Sequence, residues 1–389
     1  MAIGIDKIGF ATGSLVLDLK DLAKARKVDP DKYVVGLMQH KTSICDKTED
    51  IVTLGARAAD SILDASDKET IEMVIVGTES GIDQSKASST YIHQLLDIQP
   101  FARAIEIKEA CYGGAAALNL ARDYIASHPQ SKVLVIASDI ARYGAHSAGE
   151  PTQGAGAVAI VVSENPHILA LDDASVAMTR DSYDFWRPNY AKYPEVNGRF
   201  STIQYIDCLT TIYTRYCQKT GKSLTDFSAM VLHIPFVKQG LKALQKLLKD
   251  LPKEAERLTA NFMDSISYNQ NIGNLYTGSL FLSFLSLIET STSLSAGDNI
   301  LFYSYGSGAV CELFSGTLVA GFEKRLNPNR QVDLDNRRQI SVTEYESIFF
   351  YDIPIDDAGT SPHLTNNPKA YDFLGIDHHK RLYYKPSSR

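Results

Sequence analysis

Continuous apolar runs, rather than alternating ones, mark the predicted strands of this chain. The stretches 72–80 (EMVIVGTES), 132–139 (KVLVIASD) and 154–162 (GAGAVAIVV) are rich in aliphatic and β-branched residues. Such runs are typical of strands buried on both faces of a sheet. Between the first two lies 111–126 (CYGGAAALNLARDYIA), whose small residues predict a closely packed helix.

The same order of elements returns in the second half of the chain. It comprises AMVLHIPF at 229–236, LYTGSLFLSFLSLIE at 275–289, NILFYSYG at 299–306 and SGAVCELF at 307–314. These stretches predict a strand, a buried helix, a strand, a Gly-rich turn and a further strand. Strands alternating with helices at these spacings predict α/β layers, so we expect a duplicated α/β fold.

No linker rich in Pro, Gly or Ser divides the chain, so the repeat itself sets the predicted domain boundary. We expect an N-terminal half at 1–165 and a C-terminal half at 166–389, the latter with an inserted helical segment at 176–228. A polar C-terminal extension follows, with a helix near VTEYESIFF. Further amphipathic helices are predicted at about 50–66, 85–97 and 236–249.

Composition excludes several classes of function. With 39 Lys and Arg against 46 Asp and Glu the net charge is −7, so no global positive field exists to attract nucleic acid or an anionic membrane. The apolar stretch 275–289 is shorter than the roughly 20 residues of a spanning helix. Asp6 and Lys7 interrupt the amino-terminal apolar residues before a signal core forms, so we expect a cytoplasmic protein.

The five cysteines are odd in number, far apart and without metal-ligand spacing, which predicts reduced thiols and no metal site. Cys111 differs from the others because it stands at the start of a predicted helix. A free cysteine is usually a buried, inert residue. The positive end of the helix dipole, however, would favour a reactive thiolate at this position, and Gly113 and Gly114 leave room for a ligand.

Two further reactive side chains close buried strands. His233 lies at the end of the strand in AMVLHIPF, and Glu79 ends the corresponding strand of the first half. A lone His there is more often a satisfied core residue, and the carboxylate more often caps a turn. Open α/β sheets nevertheless place their sites at the carboxyl ends of strands. The repeat therefore predicts that Glu79, Cys111 and His233 converge on one site.

Other candidates have equally ordinary explanations. Asn274 in NIGNLYTGS is either a helix N-cap or a side-chain amide donor. Lys238, Lys242 and Lys246 form one helix face, which is either solvated or receives a phosphate-bearing ligand. The GAG at 154–156 and the GSG at 306–308 run into strand-like residues, so they predict tight turns rather than dinucleotide-binding loops.

Together, EACYGG, VLHIPFVKQGLK, NIGNLYTGSL, YGSGA and GEPTQGAGAV resemble motifs of the 3-hydroxy-3-methylglutaryl-CoA (HMG-CoA) synthase family, in its bacterial form. The resemblance covers nearly the whole chain up to the GSG turn. This family belongs to the thiolase-like condensing enzymes. The resemblance therefore implies a duplicated, five-layer αβαβα fold with pseudo-twofold halves.

The resemblance also implies a reaction: condensation of acetyl-CoA with acetoacetyl-CoA through an acetyl-cysteine, followed by hydrolysis to HMG-CoA and CoA on the mevalonate route to isoprenoids. Cys111 is then the nucleophile, Glu79 the general acid and base, and His233 the residue that orients the acetoacetyl thioester. No cofactor is implied, because the CoA thioesters are substrates, and a homodimer is expected.

Further positions follow from the same resemblance. Asn274 is implied as a second donor to the thioester, and the backbone of Ser307 as part of an oxyanion site. Tyr143 and Thr152 are implied as substrate contacts. Ser201, Lys238 and Lys242 are implied as positions around the CoA and pantetheine arm. Asp184 is implied as support from behind the site.

Two other functions fit parts of the pattern. A ketoacyl synthase of the same fold would form its carbanion by loss of CO2, and Asn274 permits that interpretation. Glu79 argues against it, because a decarboxylating enzyme needs no base to remove a methyl proton. A non-catalytic acyl-binding protein could also retain the fold without turnover.

Overall fold

The computed structural model describes residues 2–387. In chain order, its strands are β1 (Ile3–Thr12), β2 (Leu15–Asp18), β3 (Lys41–Ile44), β4 (Ile71–Gly77), β5 (Arg103–Ile107), β6 (Lys132–Ile140), β7 (Ala155–Glu164), β8 (Leu169–Leu171), β9 (Val176–Thr179), β10 (Phe185–Trp186), β11 (Glu195–Val196), β12 (Ala229–Leu232), β13 (Asn299–Gly306), β14 (Val310–Leu318), β15 (Arg338–Gln339), β16 (Asp372–Asp377) and β17 (Lys380–Tyr384).

The α-helices alternate with these strands. In chain order they are α1 (Leu19–Ala25), α2 (Asp31–Val34), α3 (Ile51–Asp60), α4 (Ala65–Thr70), α5 (Ser88–Leu95), α6 (Gly113–Ser127), α7 (Gly198–Thr220), α8 (Val237–Leu248), α9 (Pro252–Ser265), α10 (Asn269–Ile272), α11 (Ser279–Thr290), α12 (Arg330–Asp335) and α13 (Val342–Phe349). No helix within residues 2–387 has both the length and the apolar character needed to cross a membrane.

The main sheet shows the internal repeat in its strand order, β12-β13-β14-β8-β1-β7-β6-β4-β5, with β9 also paired to β14. On one side of the β8–β1 junction, β1 pairs antiparallel with β7, β7 antiparallel with β6, and β6 parallel with β4. On the other side, β8 and β9 pair antiparallel with β14, β14 antiparallel with β13, and β13 parallel with β12. The predicted duplication is therefore confirmed.

Alternate strand residues face different layers, as expected for strands buried on both sides. Val135 on β6 and Phe302 on β13 both enter a central core that contains α6 and α11. Ile136 faces a separate core with α3 and α5, whereas Tyr303 faces one with α7 and α8. The layers thus run helix, sheet, helix, sheet, helix, and the five-layer prediction is confirmed.

Glycines allow the central helices to approach the strand ends backbone to backbone. A Cβ on Gly77, at the end of β4, would lie 2.7 Å from main-chain atoms of Gly113. A Cβ on Gly114 would lie 2.6 Å from the carbonyl oxygen of Thr277, in the turn before α11. The end of β4 and the starts of the two central helices therefore meet at one place.

The segment 176–228 differs from its prediction as an inserted helical segment. It begins with β9, a strand of the main sheet, and continues through the short β10–β11 pair before α7. Because β9 pairs with β14, this part of the chain completes the second half of the repeat. The predicted domain boundary at residues 165 and 166 stays a prediction.

The C-terminal extension contains the predicted helix, α13, and a hairpin, β16–β17, that the polar pattern did not reveal. The hairpin is tied to α3 by ion pairs, at 2.8 Å between Arg57 and Asp372 and at 2.7 Å between Arg381 and Asp50. The ion pairs act beside a few buried aromatic residues such as Phe373, and the absence of a long apolar run in the hairpin explains why hydrophobic periodicity misses it.

Candidate active site

Cys111 and Glu79 are brought into contact where β4 meets the start of α6. Glu79 lies in the turn after β4, and Cys111 lies two residues before α6 begins. The Cys111 thiol donates a hydrogen bond to Glu79 Oε1 at 3.0 Å. The preceding residue, Ala110, has a φ of 41°, a left-handed conformation that costs a non-glycine residue roughly 1–3 kcal/mol and is concentrated at functional sites.

Asp139, at the end of β6, anchors the turn that carries Glu79. Its Oδ1 accepts hydrogen bonds from the Thr78 hydroxyl at 2.9 Å, the Glu79 amide at 3.0 Å and the Ser80 hydroxyl at 2.7 Å. Its Oδ2 accepts from the Thr277 amide at 3.1 Å, so one carboxylate joins the two halves of the repeat. Asp139 was not among the predicted site residues, although a carboxylate at the end of the buried run KVLVIASD was an available signal.

His233 directly follows β12 and is 1% exposed. Within the described residues, neither of its ring nitrogens has a hydrogen-bond partner. Burial lowers the pKa of His233 to about 3, so the imidazole is neutral at physiological pH. A neutral imidazole offers one donor and one acceptor, and both are available to a ligand.

A pocket of about 430 Å³ opens around these groups. It is lined by seven of the residues singled out in the sequence: Cys111, Tyr143, Thr152, Ser201, His233, Asn274 and Ser307. The imidazole and the thiol thus face one cavity, and Glu79 contacts that thiol. Within residues 2–387, no group of three or more His, Cys, Asp or Glu side chains is arranged to hold a metal ion.

Aromatic side chains form one wall of this pocket, and two of them were not predicted. Phe185 and Tyr276 line it beside Tyr143. The Phe185 ring meets those of Tyr143 and Tyr276 edge to face, at centroid distances of 5.9 and 5.7 Å. Tyr276 lies within the NIGNLYTGS motif, so an aromatic residue beside Asn274 was a usable signal.

Asn274 is not the N-cap of α11, a position held by Gly278, but its side chain both accepts and donates hydrogen bonds. Its Oδ1 accepts hydrogen bonds from the Tyr276 amide at 2.9 Å and the Ser279 hydroxyl at 2.7 Å, which organises the turn before α11. Its amide nitrogen lies 3.5 Å from the Tyr143 hydroxyl at the pocket. The oxygen therefore serves structure while the amide donors face the cavity.

The remaining predicted residues lie outside the pocket lining. Lys238 is half-buried near the start of α8, and Lys242 is exposed one turn later; Gln239 of the same helix does line the pocket. Asp184 is fully buried, and its carboxylate accepts hydrogen bonds from the Tyr305 hydroxyl at 2.7 Å and the Gly308 amide at 3.1 Å. It holds the turn that carries the pocket residue Ser307 from behind.

The protonation of Cys111 differs from the sequence prediction. Burial raises the pKa of the Cys111 thiol well above its usual value, and the neighbouring Glu79 charge raises it further. A helix N-terminus contributes typically 0.3–1 kcal/mol, which is too little to offset burial beside a carboxylate. The helix-start contribution that favours a thiolate is therefore outweighed by burial and by Glu79, and the group is a thiol that donates to Glu79.

Glu79 itself carries a perturbed carboxyl group. Burial, followed by the charge of Asp139, raises the pKa of Glu79 to about 8, while the hydrogen bond from Cys111 acts in the opposite direction. A carboxyl group with a pKa close to neutral pH exchanges protons in both directions, which is what a general acid and base needs.

Two family models together span most of the chain. The model for the N terminus of hydroxymethylglutaryl-coenzyme A synthase matches residues 1–167, and that for its C terminus matches residues 169–264 and 249–350. The chain belongs to the hydroxymethylglutaryl-CoA synthase family. Its predicted class, an acyltransferase that forms a carbon–carbon bond, is thereby confirmed.

Individual relatives agree with this assignment. The chain is 49% identical to the hydroxymethylglutaryl-CoA synthase of Enterococcus faecalis over 90% of its length and 92% of that protein. It is 33% identical to a Bacillus subtilis polyketide-biosynthesis 3-hydroxy-3-methylglutaryl-ACP synthase, over 90% of this chain and 88% of that protein. Both relatives thus match nearly end to end.

Solved structures of the family superpose closely. A hydroxymethylglutaryl-CoA synthase crystallised with CoA has a TM-score of 0.97 and 50% identity, covering 99% of this chain and 100% of that one. A second synthase, MvaS in complex with 3-hydroxy-3-methylglutaryl coenzyme A, has a TM-score of 0.89 and 33% identity, covering 99% of both chains. The thiolase-like fold class is confirmed by this agreement.

Proposed function

We propose that the protein condenses acetyl-CoA with acetoacetyl-CoA through an acetyl-Cys111 intermediate and releases HMG-CoA and CoA. The observation that carries this proposal is the 3.0 Å contact between the Cys111 thiol and the Glu79 carboxyl, beside a pocket that holds a neutral imidazole with no hydrogen-bond partner among residues 2–387. Acetyl-CoA and acetoacetyl-CoA are substrates in this scheme, and no cofactor takes part.

The first step transfers the acetyl group to sulfur. As Cys111 Sγ attacks the thioester carbonyl, its proton passes to Glu79, the acceptor of the thiol hydrogen bond. Protonated Glu79 then returns this proton to the departing CoA sulfur. The products are acetyl-Cys111 and CoA, and Glu79 is again ionised.

The second step forms the carbon–carbon bond. Ionised Glu79 takes a proton from the methyl group of acetyl-Cys111, and the resulting carbanion attacks C3 of acetoacetyl-CoA. Protonated Glu79 then gives its proton to the new alkoxide. Water finally cleaves the bond to Cys111, which regains its thiol proton. A pKa of about 8 makes both directions of transfer by Glu79 accessible.

Three groups around the pocket suit the polarisation of thioester and ketone oxygens. The neutral His233 donates from one ring nitrogen to an acetoacetyl oxygen, and the Asn274 amide donates beside it. The backbone of Ser307, in the turn between β13 and β14, completes the oxyanion site. Such fixed donors act where negative charge develops.

The long substrate arm follows the same pocket outward. Tyr143 and Thr152 contact the acyl part, and Ser201 contacts the pantetheine arm. Lys238 and Lys242 lie on the helix that contributes Gln239 to the pocket wall, where their charges attract the CoA phosphates. Asp184 supports the turn that carries Ser307 through its hydrogen bonds with Tyr305 and Gly308.

Intact-mass measurement after incubation with acetyl-CoA tests the intermediate. We expect one acetyl adduct on the wild-type protein, none on Cys111→Ala, and an adduct on the control Cys217→Ala. Glu79→Gln should still acetylate, more slowly, but condense at least about a hundredfold more slowly. Adduct formation by Cys111→Ala, or normal condensation by Glu79→Gln, would contradict the proposed roles.

Turnover with different thioester substrates distinguishes this function from the alternative functions. The wild-type protein should release CoA from acetyl-CoA beyond the one equivalent that accompanies acetylation of Cys111 only when acetoacetyl-CoA is present to complete turnover. Turnover of a malonyl thioester alone would instead identify a ketoacyl synthase, and binding without turnover a scaffold. Preference for acetyl-ACP over acetyl-CoA would place the protein with the polyketide-biosynthesis relative.

We also propose a cytoplasmic homodimer, formed along the edge strand β5. Within the described residues, β5 pairs only with β4, which leaves its other edge open. Nearby side chains are apolar and exposed: Phe101 by 91%, Leu120 by 51% and Ile105 by 41%. An open apolar edge favours pairing with a second copy.

Light scattering after size-exclusion chromatography tests this interface. We expect a dimer for the wild-type protein and a monomer for Ile105→Lys, with a dimer retained by the surface control Val332→Lys. A monomeric wild-type protein would contradict the homodimer, and a dimeric Ile105→Lys would contradict this interface.

A further inference from the structure

Arg187 provides a contact between the β10–β11 hairpin and the turn that carries Glu79. It follows β10, and its Nη2 donates a hydrogen bond to the carbonyl oxygen of Glu79 at 2.9 Å. The two residues are 108 positions apart. The partner is a main-chain carbonyl rather than a carboxylate, so the positive charge of Arg187 is left to act on its surroundings.

Buried contacts hold the base of this hairpin, which limits where Arg187 can reach. Asp184, three residues earlier, is fully buried and bonded to the Tyr305 hydroxyl and the Gly308 amide. Phe185 packs edge to face against the pocket tyrosines. Arg187 therefore extends from a fixed platform, although its own side chain is exposed.

The charges that face Glu79 come from several elements. Asp139 at the end of β6 and Glu109 before α6 are acidic, whereas the Cys111 thiol is neutral. Tyr143 and Tyr276 also face Glu79 from the aromatic wall, and burial raises the pKa of both hydroxyls, which keeps them neutral. Arg187 is the positive group in this set, and its charge favours ionised Glu79.

We propose that Arg187 is a positioning residue for condensation: it fixes the Glu79 turn through the carbonyl and favours the ionised carboxylate that takes the methyl proton. This inference rests on the proposed role of Glu79. It concerns how that carboxylate is held and charged, which the Cys111–Glu79 contact alone does not determine.

The test compares Arg187→Gln and Arg187→Lys with wild type in the full-length protein. Removing the positive charge makes ionisation of Glu79 less favourable, so a higher pH is needed to form the base. We expect the acid limb of the kcat profile to move up by about half to one pH unit in Arg187→Gln, with kcat about tenfold lower at pH 7. Arg187→Lys should restore the limb while recovering only part of kcat.

Arg180→Gln is the matched control. Arg180 lies just before the hairpin, and its guanidinium pairs with Asp207 at 2.6 Å. The Arg180→Gln substitution should leave both the pH profile of kcat and the value of kcat unchanged. The amount of acetyl-Cys111 should stay at wild-type level in every variant, which reports an intact fold.

Two results would overturn the inference: a wild-type profile and rate in Arg187→Gln, or an Arg187→Lys profile identical to that of Arg187→Gln. Failure of the underlying function gives a different result, because Glu79→Gln would then condense normally whatever residue stood at position 187.

Discussion

We expect Glu79→Gln to stabilise the folded protein at alkaline pH while it abolishes condensation. The glutamine is nearly isosteric, and its side-chain oxygen still accepts the hydrogen bond from Cys111. It differs in having no charge to bury. The variant therefore isolates the free energy that the folded protein spends on keeping a carboxyl group at this position.

The magnitude follows from the pKa of Glu79, which burial raises from 4.5 to about 8. At 1.36 kcal/mol per pH unit, this difference corresponds to about 5 kcal/mol. Below pH 4.5 the group is protonated in both folded and unfolded states, so wild type and variant should be equally stable. Between 4.5 and 8 only the unfolded state releases the proton, so wild-type stability falls as pH rises.

Denaturant unfolding of both proteins at pH 5, 6, 7, 8 and 9 measures this effect. The variant's advantage in unfolding free energy should grow by about 1.4 kcal/mol per pH unit and level off above pH 8. Glu256→Gln, an exposed carboxyl on α9, is the control and should show no such trend. A constant difference between wild type and Glu79→Gln from pH 5 to 9 would show that burial of the Glu79 charge does not limit the stability of the folded protein.

Three further substitutions test other parts of the site. Gly77→Ala should cost about 1–3 kcal/mol in denaturant unfolding and slow acetylation of Cys111, because its Cβ would lie 2.7 Å from the main chain at the start of α6; equal stability would contradict the close packing. Tyr345→Phe should cost about 1–2 kcal/mol, because it removes the 2.9 Å hydrogen bond from Gln153; an unchanged unfolding midpoint argues against this. His233→Phe should raise the KM for acetoacetyl-CoA about tenfold or more while acetylation persists, and an unchanged KM would remove the imidazole from substrate binding.

The buried strands and central helices were predictable because their apolar runs depend little on long-range partners. β13 spans the residues predicted for it, and β6 extends one residue beyond its predicted end. Less regular segments were missed. β1 (IGIDKIGFAT) carries Asp6 and Lys7 at an irregularity in its pairing with β7, and this interrupts the pattern of a buried strand. The start of α11 shifts to Ser279 because polar contacts of Asn274 form a turn there first.

The reactive residues were visible in the sequence as residue types at strand and helix ends, whereas their supporting contacts were not. Asp139 and Arg187 act on Glu79 across 60 and 108 positions, distances over which no local pattern exists. Their alignment depends on how the two halves of the main sheet pack on α6 and α11. The helix start at Cys111 favours a thiolate when only the local sequence is considered. Burial and the contact with Glu79, which arise only on folding, raise the pKa of the thiol instead.

The α/β class, the repeat and the identities of the thiol, carboxyl and imidazole can be read from the chain alone, because hydrophobic pattern and motif spacing are local properties of the sequence. Which of these groups touch, and which of them are charged, follows only from the folded arrangement. A pKa depends on burial and on charges nearby in space. Both arise only when β4, β6 and α6 close around Cys111.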